Sequence, residues 1–351
     1  MGLLCAALVL IVGLLRPAPA SAALLYSDSA ASYPSLQLRG FTDFNYRTSD
    51  GANGSEGFNL GQFVLHAVSP LARKVNYFGE ITVLPRSNSY TIEVERSFIR
   101  YDYNDAFKLS VGRYHTQLGY WNTAYHHGLW LQTTASRPEQ VRFGTEFVPV
   151  HFVGVLAEGN IPSGATGLGY SVGLGNGRSE ILSRAGDAGD PNPNRAWIAQ
   201  LVARPGHSYG FEVGASVYRD LLSTAGGPSI HEWIASGFAV LTRESPEVML
   251  EGITVRHEDA SGLHYDSHAF YGQLAYRLPG AAAKFMPYIR YERMEIAETD
   301  PVFALPDLEV VLGGVRVDFV ELAALKLEYR NDLTSGSGRS NTLIAQASLT
   351  F

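Results

Sequence analysis

The residues most able to do chemistry in this chain are charged side chains at alternating positions. Arg96 and Arg100 lie four residues apart, so an extended chain presents both on one face. Two cations on one face can bind an anion, or they can pair with acids such as Glu80 and Asp102. The chain has no compelling acid pair, and we predict no enzyme, no catalytic residue and no cofactor.

Three histidines, His115, His126 and His127, lie in or next to a stretch without clear alternation. Imidazole is a common metal ligand, which raises a metal site as one interpretation. Adjacent histidines on an extended chain point in opposite directions, however, and neither a cysteine nor a close carboxylate completes the set. We therefore expect solvated loop histidines and no metal.

The first residues predict export. Residues 3–15 carry no charge and are followed by Arg16 and two Ala-x-Ala sites. Thirteen apolar residues fall short of the ~20 that a membrane-spanning helix needs, and the pattern is typical of a secretory signal peptide. We predict cleavage after Ala22, with Ala20 as the alternative. The predicted organisation is a signal peptide (residues 1–22), a short periplasmic segment (23–35) and one membrane domain (36–351).

The composition excludes several classes of protein. The only cysteine, Cys5, lies in the signal, so the remaining chain can form neither disulfides nor thiolate metal sites. Removing residues 1–22 leaves 26 Lys and Arg against 34 Asp and Glu, a net charge of −8. This balance argues against nucleic acid as a partner. The 36 glycines, 19 tyrosines and low charged fraction of 17% favour a transmembrane β-barrel.

The alternation of apolar and polar residues predicts an all-β, antiparallel transmembrane barrel of about 16 strands, with 18 as the alternative. Lipid cannot satisfy backbone polar groups, so a spanning sheet has to close on itself. The predicted strands cover residues 36–46, 58–69, 75–84, 90–103, 106–116, 148–158, 167–176, 195–204, 209–219, 230–242, 246–257, 266–277, 284–294, 307–318, 323–332 and 342–351. Those near 148, 230 and 246 are the least clear, because either face could be the apolar one.

Short and long connections alternate between these strands, as they do in outer-membrane barrels. On the side of the long connections, the third connection, residues 117–146, is the longest, whereas the second, residues 85–89, is a short exception. The last connection on that side is predicted at 334–340. An even number of strands places both termini at the periplasmic end.

Several segments resemble Gram-negative outer-membrane porins, in particular the superfamily that includes the phosphate-selective porins. These are residues 112–121 (GRYHTQLGYW), 287–292 (PYIRYE), 313–318 (GGVRVD), 324–329 (ALKLEY) and the terminal Phe351. The resemblance implies that the long third loop folds into the lumen and sets a constriction. It also implies that the barrel-assembly machinery reads Phe351.

Strict alternation places eight basic and nine acidic side chains on the inner face. The lumen is therefore predicted to lack the row of unopposed basic side chains that would guide anions, which argues against phosphate selectivity. Pairing between wall charges is the alternative role for each of them. The residues expected to line the pore and its constriction are Arg39, Asp43, Glu80, Arg96, Arg100, Lys108, Tyr114, His126, His127, Arg290, Glu292, Arg316 and Lys326.

Two functions fit this pattern. The first is a porin for passive diffusion of small hydrophilic solutes or ions, and the second is a structural barrel that sheathes an electron-transfer protein. Outer-membrane lipid and the assembly machinery are the expected partners. A homotrimer is compatible with a barrel of this size, but nothing in the sequence identifies a trimer interface.

Overall fold

The computed structural model describes residues 33–51, 56–223 and 227–351. The predicted signal peptide lies outside the described residues, as do residues 23–32 of the predicted periplasmic segment. No helix in the described ranges is long and apolar enough to cross a membrane.

In the described part of the chain, sixteen antiparallel strands form one closed barrel. Each strand pairs with its neighbours in the chain, and β1 pairs with β16 to close the sheet. The strands are β1 (Gln37–Ser49), β2 (Gly57–Ala72), β3 (Val75–Arg86), β4 (Ser89–Asn104), β5 (Phe107–His115), β6 (His151–Asn160), β7 (Leu168–Asn176), β8 (Ala196–Ala203), β9 (Phe211–Leu222), β10 (Ile230–Thr242), β11 (Glu247–Glu258), β12 (His264–Ala275), β13 (Phe285–Glu295), β14 (Leu308–Val320), β15 (Ala323–Thr334) and β16 (Gly338–Thr350). Each predicted strand has its counterpart here, so the predicted fold class is confirmed.

The two faces of the sheet differ as the alternation predicts. On β15, Leu325, Leu327 and Tyr329 are about half exposed, whereas Lys326 and Glu328 between them are buried. The outer surface is therefore apolar and the polar side chains point into the barrel. This arrangement suits a lipid exterior, since every strand edge is paired within the closed sheet.

The connections at the two ends of the barrel differ in length. At the short-turn end, residues 73–74, 105–106 and 321–322 join strands directly. At the long-loop end lie residues 177–195, 296–307 and the longest connection, 116–150, which we call the long loop. The long loop is wider than the predicted 117–146, and the last connection on that side is only 335–337 because β15 and β16 extend toward each other.

A helical turn, α1 (Trp121–Ala124), and a 3-10 turn, Glu139–Val141, lie in the long loop. Trp121, Val141 and Phe147 of this loop join a cluster of buried side chains with Ile198 and Tyr271 of the wall. Since these wall residues face away from the lipid side, the long loop occupies the interior of the barrel.

Candidate functional site: the barrel interior and its long loop

Acidic side chains of the wall hold the long loop through its backbone N–H groups. Glu251 on β11 is buried, and its carboxylate accepts hydrogen bonds from the amides of Tyr120 and Trp121, both at 3.0 Å. It also accepts from Gln140 Nε2 at 3.1 Å and from the Tyr271 hydroxyl at 3.3 Å. One side chain thus fixes both the start of α1 and the 3-10 turn.

Glu292 and Glu328 repeat this arrangement further along the loop. Glu292 accepts from the amide of Glu139 at 2.6 Å, and Glu328 accepts from the amide of Ala135 at 2.9 Å. Buried amides outside regular structure need such acceptors, because an unsatisfied donor costs about 1–3 kcal/mol.

Basic side chains of the same wall bind the loop carbonyls. Lys326 Nζ donates to the carbonyls of Leu129 and Thr134 at 2.5 and 2.9 Å. Arg316 donates to the carbonyls of Trp130 and Gln132 at 2.7 and 3.0 Å. Arg290 donates to the carbonyl of Ser136 at 3.0 Å and pairs with Glu292 at 2.8 Å. Residues expected to line the pore are therefore inward-facing but buried against the long loop.

The predicted residues on β1 to β5 are placed differently. Arg96 pairs with Glu80 at 2.5 Å and Arg100 pairs with Asp102 at 2.9 Å, so the alternative of wall pairing applies to both. Both arginines nevertheless line a small cavity of about 180 Å³ beside the long loop, together with Tyr114.

The other predicted residues on these strands have separate surroundings. Asp43 is buried and accepts from the amide of Gln62 at 2.9 Å. Arg39 is exposed near the end of β1, and Lys108 lines a cavity of about 320 Å³ at the short-turn end.

A β-bulge in β4 changes the inner face in a way that strict alternation misses. The pairing of β3 with β4 shifts register between Glu80 and Ile81, opposite residues 94–96. As a result Glu95 and Arg96, which are adjacent in sequence, both face inward, and Glu95 is 2% exposed. Such a bulge leaves no clear signal in one sequence.

Open space lies on both sides of the long loop. A cavity of about 550 Å³ opens toward the long-loop end, and we call it the outer cavity. The cavities that contain Lys108 and Arg100 lie toward the short-turn end. The loop therefore separates the interior into an outer and an inner vestibule.

Basic groups outnumber acidic groups around the outer cavity. Arg47, Arg137, Arg142 and Arg330 line it, against Glu139 and Asp332. Arg330 pairs with both of these acids, at 2.8 and 2.6 Å. The sequence predicted nearly equal numbers of inward basic and acidic residues, whereas basic residues are in excess around the outer cavity. The two counts differ because most of the inward charges in the sequence-based count pair within the wall or bind the long loop.

Arg137 is unusual among these arginines. It is 8% exposed, none of its guanidinium nitrogens has a hydrogen-bond partner among the described residues, and its guanidinium carbon lies 3.7 Å from the centre of the Phe143 ring. Burial lowers the pKa of Arg137 to about 9, so it remains a cation at neutral pH. No carboxylate in the described ranges forms a direct ion pair with Arg137, so this residue contributes positive charge to the outer cavity.

The predicted solvated histidines are instead buried in one cluster. His115, His126 and His127 meet His151, and one ring nitrogen from each lies within 4.8 Å of the others. The chain after α1 bends rather than extends, so adjacent His126 and His127 reach the same point. Glu95 Oε2 lies 2.8 Å from His151 Nε2 and 3.3 Å from His127 Nε2. Both reasons against a metal site, opposite directions and no close carboxylate, are therefore wrong.

His151 is the member of this cluster that the sequence analysis missed. It is the first residue of β6 and pairs across the ladder with His115, the last residue of β5. The two residues are 36 positions apart, so only the strand pairing brings them together. A histidine at each end of the same long loop was the available signal.

A second buried polar group holds the outer loops and also escaped the sequence analysis. Arg178, from the loop 177–195, forms a two-pronged pair with Glu232 at 2.9 and 3.0 Å. His257 lies between Glu232 at 3.2 Å and Asp300 of the loop 296–307 at 2.8 Å. This group ties two long connections to β10 and β11.

Comparison with known proteins places the fold. No protein-family model matches the sequence, and no curated protein matches it. The structure is similar to an anion-selective porin from Comamonas acidovorans (TM-score 0.66, 10% identity, 91% of this chain and 100% of the other). It is also similar to the outer membrane channel DcaP of Acinetobacter baumannii (TM-score 0.60, 12% identity, 91% of this chain and 97% of the other). A third similar structure is a trimer form of OmpT of Vibrio cholerae (TM-score 0.59, 12% identity, 91% of this chain and 100% of the other). The described residues thus form a barrel of the outer-membrane porin type.

Proposed function

We propose that this protein is an outer-membrane porin through which small hydrophilic solutes diffuse passively. The observation that carries the proposal is a closed barrel with an apolar exterior, whose longest loop is held inside between two polar vestibules. A loop inside the lumen narrows the path and brings charges close to any solute that passes. On this proposal the chain is exported by a cleaved signal peptide and is not an enzyme.

The outer cavity favours anions in this proposal. Arg47 and Arg137 line it without forming an ion pair with a carboxylate of the described residues, and one similar structure is described as an anion-selective porin. This revises the expectation of a lumen without preference. The resemblance to phosphate-selective porins belongs to the same proposal, as does a homotrimer, since one similar structure is a trimer form.

Sheathing of a partner protein is less favoured by the interior. The long loop fills part of the interior, and the outer cavity of about 550 Å³ accommodates a small solute and not a folded electron carrier. The role of Phe351 as an assembly signal remains a prediction. Its backbone pairs with Gly40 and closes the barrel end, and its ring is half exposed.

Single-channel recording of the refolded protein in a planar bilayer tests the proposal. We expect stable ohmic steps and, under a salt gradient, a reversal potential of the sign that anion preference produces. Folded, membrane-inserted barrels that carry no current would refute the porin function. Clear steps with cation preference would refute only the assignment of the outer cavity as the selective element.

A further inference from the structure

We propose that His115, His126, His127 and His151 bind one divalent transition-metal ion of the Zn²⁺, Ni²⁺ or Cu²⁺ class inside the barrel. The site would join the part of the long loop that follows α1 to the end of β5 and the start of β6. This goes beyond passive diffusion, because it gives the barrel a specific inorganic ligand.

The geometry is close to that of a four-coordinate site. One nitrogen from each ring lies within 4.8 Å of the other three. Ligands of a tetrahedral ion with metal–nitrogen bonds of about 2.0–2.1 Å are about 3.4 Å apart, so small ring movements are enough to close the set. The ring centres of His126 lie 3.9, 4.5 and 4.7 Å from those of His115, His127 and His151.

Neighbouring amides orient two of the rings. His126 Nδ1 lies 2.9 Å from Asn122 Oδ1, and His127 Nδ1 lies 3.2 Å from Gln62 Oε1. A carbonyl-type oxygen can only accept a hydrogen bond from the ring, so Nδ1 carries the hydrogen and Nε2 keeps its lone pair. Metal-binding histidines are held by this kind of outer partner.

In the described part of the chain, the inner nitrogens make no hydrogen bond of good geometry, although His151 Nε2 and His127 Nε2 lie 2.8 and 3.3 Å from Glu95 Oε2. His126 Nε2, His127 Nε2, His151 Nε2 and both ring nitrogens of His115 are buried without a partner of good hydrogen-bond geometry among the described residues. All four histidines are more than nine-tenths buried. Buried polar atoms normally find partners, and each exception calls for an explanation such as an ion. A metal at the centre would satisfy them together.

The nature of the ligands and the nearby charge select the class of ion. Four imidazoles suit zinc, copper and nickel, whereas calcium and magnesium prefer oxygen ligands. Glu95 is close enough to two of the rings to offset the charge of the ion or to serve as a further ligand. The positive charges of Arg137 and Arg96 lie near the cluster, so they repel a cation and weaken its binding. The competing interpretation is a metal-free polar network around Glu95.

Titration of the tag-free folded barrel with Co²⁺ and with Zn²⁺ tests the site. We expect one Co²⁺ per barrel with the visible absorption bands of a four-coordinate ion, displaced by an equivalent of Zn²⁺. His126→Ala should weaken binding at least tenfold, and Asn122→Ala should weaken it by roughly 10- to 100-fold, since it removes the orienting partner. His264→Ala is the matched control, because His264 lies exposed at the start of β12, and binding should be unchanged.

Two results would overturn the inference. One is a wild-type barrel that binds no stoichiometric ion, and the other is equal affinity in wild type and His126→Ala. If the alanine variants fail to fold, electron paramagnetic resonance of Cu²⁺ bound to the wild type decides, because fewer than three nitrogen ligands excludes the cluster. Binding is measured without current, so failure here and failure of the porin function are distinguishable.

Discussion

Replacing Glu251 by alanine should release the start of the long loop while leaving the barrel closed. The substitution removes the acceptor for the amides of Tyr120 and Trp121, and Gln140 loses its partner as well. Each buried donor left unsatisfied costs about 1–3 kcal/mol. The two backbone amides alone therefore predict a loss of about 2–6 kcal/mol in the stability of the docked loop. Glu251→Gln retains one carbonyl acceptor and should cost less.

Hydrogen exchange of the folded barrel, read by mass spectrometry over residues 118–125, measures this loss directly. Since 1.4 kcal/mol corresponds to a factor of ten, a loss of about 2 kcal/mol lowers protection about 30-fold. Glu258→Ala is the control: it lies on the same strand, and its carboxylate is 3.9 Å from the exposed His264 and makes no contact with the long loop among the described residues. Its effect should stay within about 0.5 kcal/mol. Unchanged exchange in Glu251→Ala would show that apolar packing alone holds the loop.

Three further changes test the interior. Arg137→Gln removes an unpaired cation from the outer cavity, so the reversal potential should move toward zero. Arg293→Gln is the control, because Arg293 faces outward, and it should leave the reversal potential unchanged. Burial raises the pKa of Glu139, but the guanidinium groups of Arg330 and Arg142 outweigh it and hold that pKa below its usual value. Its contribution to loop docking is therefore complete above about pH 4.5 and is lost as the pH falls through the lowered pKa. Current noise should rise in that acidic range in wild type but not in Glu139→Gln; equal profiles would contradict this. Gly112 has a φ of +141°, and in Gly112→Ala the added Cβ would lie 2.1 Å from the Ser97 carbonyl oxygen. This substitution should therefore lower the yield of folded barrel on refolding gels. Gly237→Ala is the control and should not, because its Cβ meets no atom closer than 4.0 Å.

The strands could be predicted because lipid imposes a simple rule. Every strand has one face toward hydrocarbon and one toward the interior, so its residues alternate with a period of two. This rule holds even for β6, β10 and β11, whose faces were ambiguous in the sequence. The rule fails locally where a bulge occurs. For that reason the alternation did not place Glu95 on the inner face.

The inward direction of Arg290, Arg316 and Lys326 was also predictable, but their role was not. Alternation states which side chains enter the lumen, whereas it does not state what they meet there. In the structure they meet loop carbonyls, because a loop of 35 residues brings many backbone groups into the barrel interior. Side chains expected to face solutes instead satisfy the backbone of the protein itself.

By itself, then, the sequence determined the class of fold, the approximate positions of the strands and the position of the longest loop, since these follow from periodicity and from the need to pair every strand. The choice of sixteen strands over eighteen came from the structure. Only the tertiary structure decided which charges remain free and that His115, His126, His127 and His151 meet. Those properties depend on contacts between residues far apart in the chain. The path of the long loop makes these contacts, and no local pattern encodes that path.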